Sequence, residues 1–188
     1  MRELLDLLKA GLNQPEDLAF HARTLPPNRF YLWDCLLLVI LSGVILAISA
    51  IVRGGFQAQL ILILPLSALL TGTCGLIGYI WAVNSKGEAT LYQTTIATPF
   101  SLFFPTLATI ALLTVDRLLI IPAIAGGATI WLQLLDLVSG LLGPLYGWLM
   151  FYLLLRKLHN LKGKYAAGAS LMAVFMTVVV AYFLGSLL

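Results

Sequence analysis

Between Arg117 and Arg156 the chain reads LLIIPAIAGGATIWLQLLDLVSGLLGPLYGWLMFYLLL (residues 118–155), 38 residues with a single charge, Asp136. A membrane-crossing helix needs about 20 mostly apolar residues to span roughly 30 Å of hydrocarbon. This stretch is too long for one ordinary span and barely long enough for two spans and a turn, so its division decides the fold. Further apolar runs lie at about 32–52, 60–83 and 91–115 before it and at about 166–187 after it. With five spans and the N-terminus inside, the inner segments hold Arg2, Lys9, Arg23, Arg29, Lys86, Arg156, Lys157, Lys162 and Lys164. The outer segments hold only Arg53 and Arg117. A sixth span would send the last four inner cations outside and turn nine against two into five against six. Lys and Arg accumulate on the inner side of membrane proteins, so five spans are selected. The fourth covers about 129–155, and about 118–128, with Pro122 and Gly126-Gly127, becomes an outer connection in the interface or a re-entrant piece packed on protein.

The composition agrees. Of 188 residues, 61% are hydrophobic and 10% charged, and the mean hydropathy is +0.99. A soluble domain carries about a quarter charged residues, and a disordered chain is poor in apolar ones, so both classes are excluded. The expected fold is all-α, a polytopic membrane helix bundle. The net charge of +3 matters less than its placement, and nucleic acid is not an expected partner. Cys35 and Cys74 both sit in apolar runs, where they read as small buried residues and form neither a disulfide framework nor a zinc site.

Residues 1–30 form a leader with eight of the nineteen charges, ahead of a membrane domain over 31–188. Leu4, Leu5, Leu8 and Leu12 fall at helical spacing opposite Glu3, Asp6, Lys9 and Asn13, which predicts an amphipathic helix on the inner face. Pro15 followed by Glu16 and Asp17 suits the first turn of a second short helix. Leu25-Pro26-Pro27-Asn28 then acts as a hinge into the membrane. The first fifteen residues have no continuous apolar core, so no cleavable signal peptide is expected.

Asp136 is the one carboxylate well inside an expected span, and an ionisable group there is a candidate proton relay or cation ligand. Gln133, Asp136, Gly140, Gly143 and Gly147 share one helix face. That face serves equally as a packing seam, which is the favoured reading. Pro99 and Pro105 predict a kinked third span whose freed carbonyls Thr95, Thr98 and Ser101 would satisfy. Asp136, Gln133, Pro99 and Thr98 therefore form the candidate intramembrane polar site. Gly72, Gly75 and Gly78 predict a close helix contact, within the bundle or between protomers. Arg156, Lys157, Lys162 and Lys164 form an inner basic group suited to anionic lipid headgroups. His21 and His159 are too few and too poorly supported for catalysis. With no nucleophile elbow, zinc-type His pair or phosphate loop, neither an enzyme nor any cofactor or metal is expected.

Leu4–Leu8 with Gln14-Pro15-Glu16, Trp33–Leu38, Ala97-Thr98-Pro99-Phe100 and Tyr152–Leu161 together make the chain resemble the Yip-one domain family, in particular its compact bacterial five-span members. The resemblance implies a multispanning protein of the bacterial inner membrane with its N-terminus cytoplasmic and its C-terminus outside. It carries over no catalytic residues. Eukaryotic members are linked to Rab-type GTPases and vesicle trafficking, but many of them have a long cytosolic N-terminal region that this leader does not match. The expected function is a non-enzymatic membrane-organising or accessory component of a membrane complex. Its expected partners are the lipid bilayer and a membrane protein or a second copy of itself. The alternative is a small transporter or lipid-moving protein that uses Asp136 and the kinked third span.

Overall fold

A computed structural model describes residues 15–24, 29–54, 63–124 and 129–187, with side chains described chiefly over 65–108 and 145–180. Among the described residues the fold is all-α: α1 (Pro15–Thr24), α2 (Arg29–Gly54), α3 (Ile63–Asn84), α4 (Leu91–Ile124), α5 (Thr129–Leu158) and α6 (Gly163–Leu187), with no strand. The amphipathic helix expected over Met1–Asn13 and the hinge at 25–28 lie outside the described residues.

α1 begins on Pro15, whose missing amide donor is harmless in a first turn, and Glu16 and Asp17 sit at the positive end of the helix dipole. Leu18, Ala19 and Ala22 are buried, whereas Asp17, Phe20, His21 and Arg23 are exposed. This helix lies against α5 and α4. The long helices pack as neighbours, α4 most extensively on α5, α3 on α6, and α2 on both α4 and α3.

The core is built from Phe100, Phe151, Leu154, Leu155 and Leu158 on α4 and α5, with smaller residues facing it from α2 and α6. On α2, Cys35 and Leu38 are buried while Trp33, Leu36, Leu37, Ile40, Leu41 and Val44 are exposed. On α6, Ala166, Ala169, Ser170 and Ala173 share the buried face, and Leu171, Phe175 and Val178 point away from it. Small inward residues let backbones approach closely where lipid supplies no hydrophobic drive between helices.

Two helices among the described residues are long and apolar enough to cross a membrane, Ser67–Asn84 within α3 and Gly163–Val180 within α6, and only 22% of each stretch is buried. A shorter apolar stretch, Trp33–Val44, lies in α2. Among the described residues, two of the five expected spans thus meet the length and composition requirement.

Of the outer connection expected over about 118–128, residues 118–124 are helical in the structure, and 125–128 lie outside the described residues. α4 continues through Arg117 and Pro122 to Ile124, because Leu118–Ile121 keep a helical backbone and Pro122 removes only one hydrogen bond from it. Its 34 residues reach about 51 Å at 1.5 Å per residue, well past the hydrocarbon thickness. The hydroxyls beside the prolines differ as well. Thr98 Oγ1 donates to Thr94 O at 2.7 Å and Ser101 Oγ to Thr98 O at 2.9 Å. They bond one turn back along the helix, and Thr95 is exposed.

α3 and α5 end in the same way. Gly87 N donates to Ala82 O at 2.8 Å and Lys86 N to Val83 O at 2.9 Å, with Lys86 at φ 67°. Leu161 N donates to Arg156 O at 2.9 Å, with Asn160 at φ 56°. Each turn satisfies terminal carbonyls through one left-handed residue, the Schellman arrangement, in which glycine is the usual occupant. α4 then starts with a reciprocal cap. Thr90 N donates to Gln93 Oε1 at 2.9 Å, and Gln93 N donates to Thr90 Oγ1 at 3.3 Å.

Candidate functional site

The two Schellman turns meet at one end of the bundle. Glu88 N donates to His159 O at 3.3 Å, tying the α3–α4 turn to the α5–α6 turn. Arg23, in the last turn of α1, donates from Nε to Leu158 O at 2.8 Å. It places a cation at the negative end of the α5 dipole. Gln93 Nε2 reaches back to Arg23 O at 3.2 Å, so α1 is stitched to the start of α4 and the end of α5.

His159 lies at the centre of this junction and is fully buried. Its Nε2 is 2.9 Å from Thr94 Oγ1, itself 3.1 Å from Thr90 O. The hydroxyl has one proton. Donating it to the Thr90 carbonyl requires the imidazole to carry its own proton on Nε2 and donate to Thr94, leaving Nδ1 a bare lone pair. Nδ1 indeed has no hydrogen-bond partner. This tautomer leaves an acceptor unpaired rather than a buried N–H, the smaller deficit. The ring is flanked by Tyr79 at 6.1 Å between centroids and by the bare Cα of Gly87, where a Cβ would fall 2.7 Å from Nδ1. Burial, with the Arg23 cation close by, pulls the imidazole down to about 4, so it is neutral at pH 7.

Hydroxyl beside imidazole is also the geometry of an activated nucleophile. Here Thr94 and His159 are both fully buried, so no substrate reaches the hydroxyl, and no carboxylate orients Nδ1 as a catalytic triad requires. The pair is a pin between α4 and the α5–α6 turn.

The expected site residues fall in several places. Thr98 and Pro99 are buried on α4. Gln133, Asp136, Gly140 and Gly143 lie on α5, but the surroundings of all four are outside the described residues. The glycines of α3 divide. A Cβ on Gly75 would fall 3.0 Å from Thr98 Oγ1, and one on Gly78 would fall 2.7 Å from Phe151 Cζ, but one on Gly72 would meet nothing within 4 Å. A Cβ on Gly147 would fall 3.5 Å from Pro105 Cβ. Arg156, Lys157, Lys162 and Lys164 are all exposed at the junction end, and Lys164 Nζ lies 5.0 Å above the Tyr165 ring.

Two cavities accompany these residues. An apolar one of about 260 Å³ lies among α3, α4, α5 and α6 beside Thr71, Cys74, Pro105, Thr106, Trp148 and Thr177. Thr71, Thr106 and Thr177 each donate to a carbonyl of their own helix, and neither Thr98 nor Pro99 lines it. A polar cleft of about 410 Å³ opens between the two turns, lined by Asn84, Ser85, Lys86, Asn160, Lys162 and Tyr165 with Leu161.

The junction itself, with Thr94, His159, Arg23 and Gln93, is absent from the expectations above. One signal for it is plain in the sequence, the capping-box spacing from Thr90 to Gln93 ahead of an apolar run. The partners of His159 carry no local signal, since Thr94 is 65 residues away. Comparison with known protein families, curated proteins and solved structures finds no match for this chain.

Proposed function

We propose that the chain is a five-span integral membrane protein of non-enzymatic type, an accessory or assembly component of a membrane complex. On this reading its N-terminus and junction end lie on the cytoplasmic side of a bacterial inner membrane, and its C-terminus lies outside. One observation carries the reading. Arg23, Gln93, Thr94 and His159 bond to backbone or to each other across α1, α4 and the end of α5 and hold those elements together. The outward apolar faces of α2, α3 and α6 support a lipid surrounding, and the resemblance to Yip-one domain proteins points the same way. The apolar cavity passes by Thr98 and Pro99, which leaves the transport alternative without a described path.

Gly72 offers the test. It is exposed on α3 with open space where a side chain would sit, the small-residue surface on which a second membrane helix packs closely. Crosslinking in mild detergent is expected to trap an assembly heavier than the 20.4 kDa chain. Gly72→Leu is expected to reduce that assembly several-fold without lowering the unfolding temperature. A wild-type chain that remains a monomer, with no crosslinked partner, contradicts the proposal.

A further inference from the structure

The 410 Å³ cleft between the two turns is not absorbed by the junction, and its chemistry points to a ligand. Lys86 and Lys162 supply two cations, Asn84 and Asn160 supply amides and Ser85 a hydroxyl, and no Asp or Glu is among the described residues that line it. The helix ends around it are electrically unequal. The carbonyls that close α3 and α5 are engaged, Ala82 O and Val83 O by the first turn, Arg156 O by the second and Leu158 O by Arg23. Their negative ends are therefore muted at the cleft. Of the two helices that start after these turns, α4 is capped by its own Thr90 and Gln93. α6 has Lys162 in the capping position, where Ser, Thr, Asn or Asp would normally accept from the first amides. The Lys162 backbone carbonyl takes the Tyr165 and Ala166 amides at 3.0 and 3.1 Å, but a lysine side chain has no acceptor for the amides ahead of them. An anion in the cleft would meet both lysines and this positive helix end.

The surroundings narrow the anion to one attached to a lipid. The cleft sits between the end of α3 and the start of α6, the two helices able to cross a membrane. Ile80, Trp81 and Val83 just before it on α3 are exposed, as are Tyr165 and Leu171 on α6. Aromatic residues of this kind collect at the headgroup level of a bilayer, and acyl chains can run along the exposed apolar stripes while the phosphate stays at the turns. Lys86 holds φ 67°, a conformation that costs a side-chain-bearing residue about 1 kcal/mol and that glycine adopts freely.

We propose that this cleft binds the phosphodiester of an anionic phospholipid, with Lys86 and Lys162 as the recognising cations and Asn84, Ser85 and Asn160 as hydrogen-bonding partners. The proposal rests on the membrane reading above and adds a defined headgroup site to it.

The test uses the full chain reconstituted in nanodiscs of phosphatidylcholine with a minority of phosphatidylglycerol, followed by mass spectrometry of the intact protein to count retained lipids. The wild type is expected to retain phosphatidylglycerol selectively. The double variant Lys86→Gly, Lys162→Ala is expected to lose about thirtyfold in that selectivity, about fivefold for each cation near the surface. Lys86→Gly relieves the left-handed residue, so its unfolding temperature is expected to stay level or rise, which separates lost binding from lost fold. Arg156→Ala with Lys157→Ala, outside the cleft, is expected to lose clearly less selectivity than the double variant, because the cleft keeps both of its cations and its amide and hydroxyl partners. Undiminished selectivity in the double variant overturns the proposal, as does an equal loss in the Arg156 and Lys157 pair. Displacement of the lipid by millimolar inorganic phosphate also overturns it, because the site would then be one for free anion. A chain that does not insert into the nanodiscs at all defeats the membrane reading first, and so is told apart from an inserted chain that lacks selectivity.

Discussion

Gly87→Ala is expected to lower the stability of the protein by about 3 kcal/mol, the upper range for forcing a methyl group into a filled space. A Cβ at this position would fall 2.7 Å from His159 Nδ1, 2.9 Å from His159 Cβ and 2.8 Å from Ala82 O. None of these neighbours is free to move away. Ala82 O is held by Gly87 N within the Schellman turn, and the imidazole is fixed by Thr94 on its other side. Relief therefore requires the two turns to separate, breaking the Glu88–His159 bond that joins them. Gly72→Ala provides the contrast, since nothing lies within 4 Å of its added methyl and alanine is the better helix former by about 1 kcal/mol. Unfolding midpoints in one detergent are expected to fall by several degrees for Gly87→Ala and to hold or rise for Gly72→Ala. Equal behaviour of the two variants would contradict the packing described for the junction.

The second large effect is acid sensitivity centred on His159. Its imidazole titrates at about 4 in the folded protein against an ordinary value of 6.5. Between those values the unfolded chain binds a proton that the folded one refuses, so stability falls as the pH drops. From this group there is no dependence above about pH 7. Below that the loss grows by about 1.4 kcal/mol per pH unit and reaches on the order of 3 kcal/mol near pH 4. His159→Gln lowers stability at neutral pH through the lost fit but is expected to flatten the slope between pH 6.5 and 4. Unfolding midpoints measured across that window read the difference directly. A wild-type slope that survives in His159→Gln would show that another group governs the acid response.

Local chemistry made part of this arrangement legible and long-range geometry hid the rest. The start of α1 at Pro15 follows from a missing amide donor and two acids, and the all-α class from apolar runs too long for strands. The outer connection expected over about 118–128 follows from the count of five spans, which leaves those residues as surplus, and the placement of charges does not show where a helix ends. One proline inside an apolar helix forfeits a single bond, and the structure keeps the helix to Ile124. The three glycines of α3 look equivalent in sequence, yet only the neighbours brought by other helices separate Gly75 and Gly78 from the open Gly72. His159 is the clearest instance. Alone it is a histidine after a basic pair, and its meaning comes from Thr94, Gly87 and Arg23, which tertiary packing delivers from three other elements. The expectations for Gln133 and Asp136 fall on side chains outside the described residues.

On the proposed topology the junction end faces the cytoplasm and the bundle crosses the bilayer to a C-terminus on the other side. α6 leaves the junction at Gly163 and runs for 25 residues, about 37 Å at 1.5 Å per residue, enough to cross the hydrocarbon. Accessibility of a single cysteine introduced as Lys86→Cys, combined with a reporter fused after Leu188, tests this most directly. The native thiols Cys35 and Cys74 are buried and add little background. An impermeant thiol reagent is expected to label Lys86→Cys only in inside-out vesicles, and the reporter is expected to be active only on the outer side. Labelling of Lys86→Cys in intact cells, or a reporter active in the cytoplasm, would contradict it.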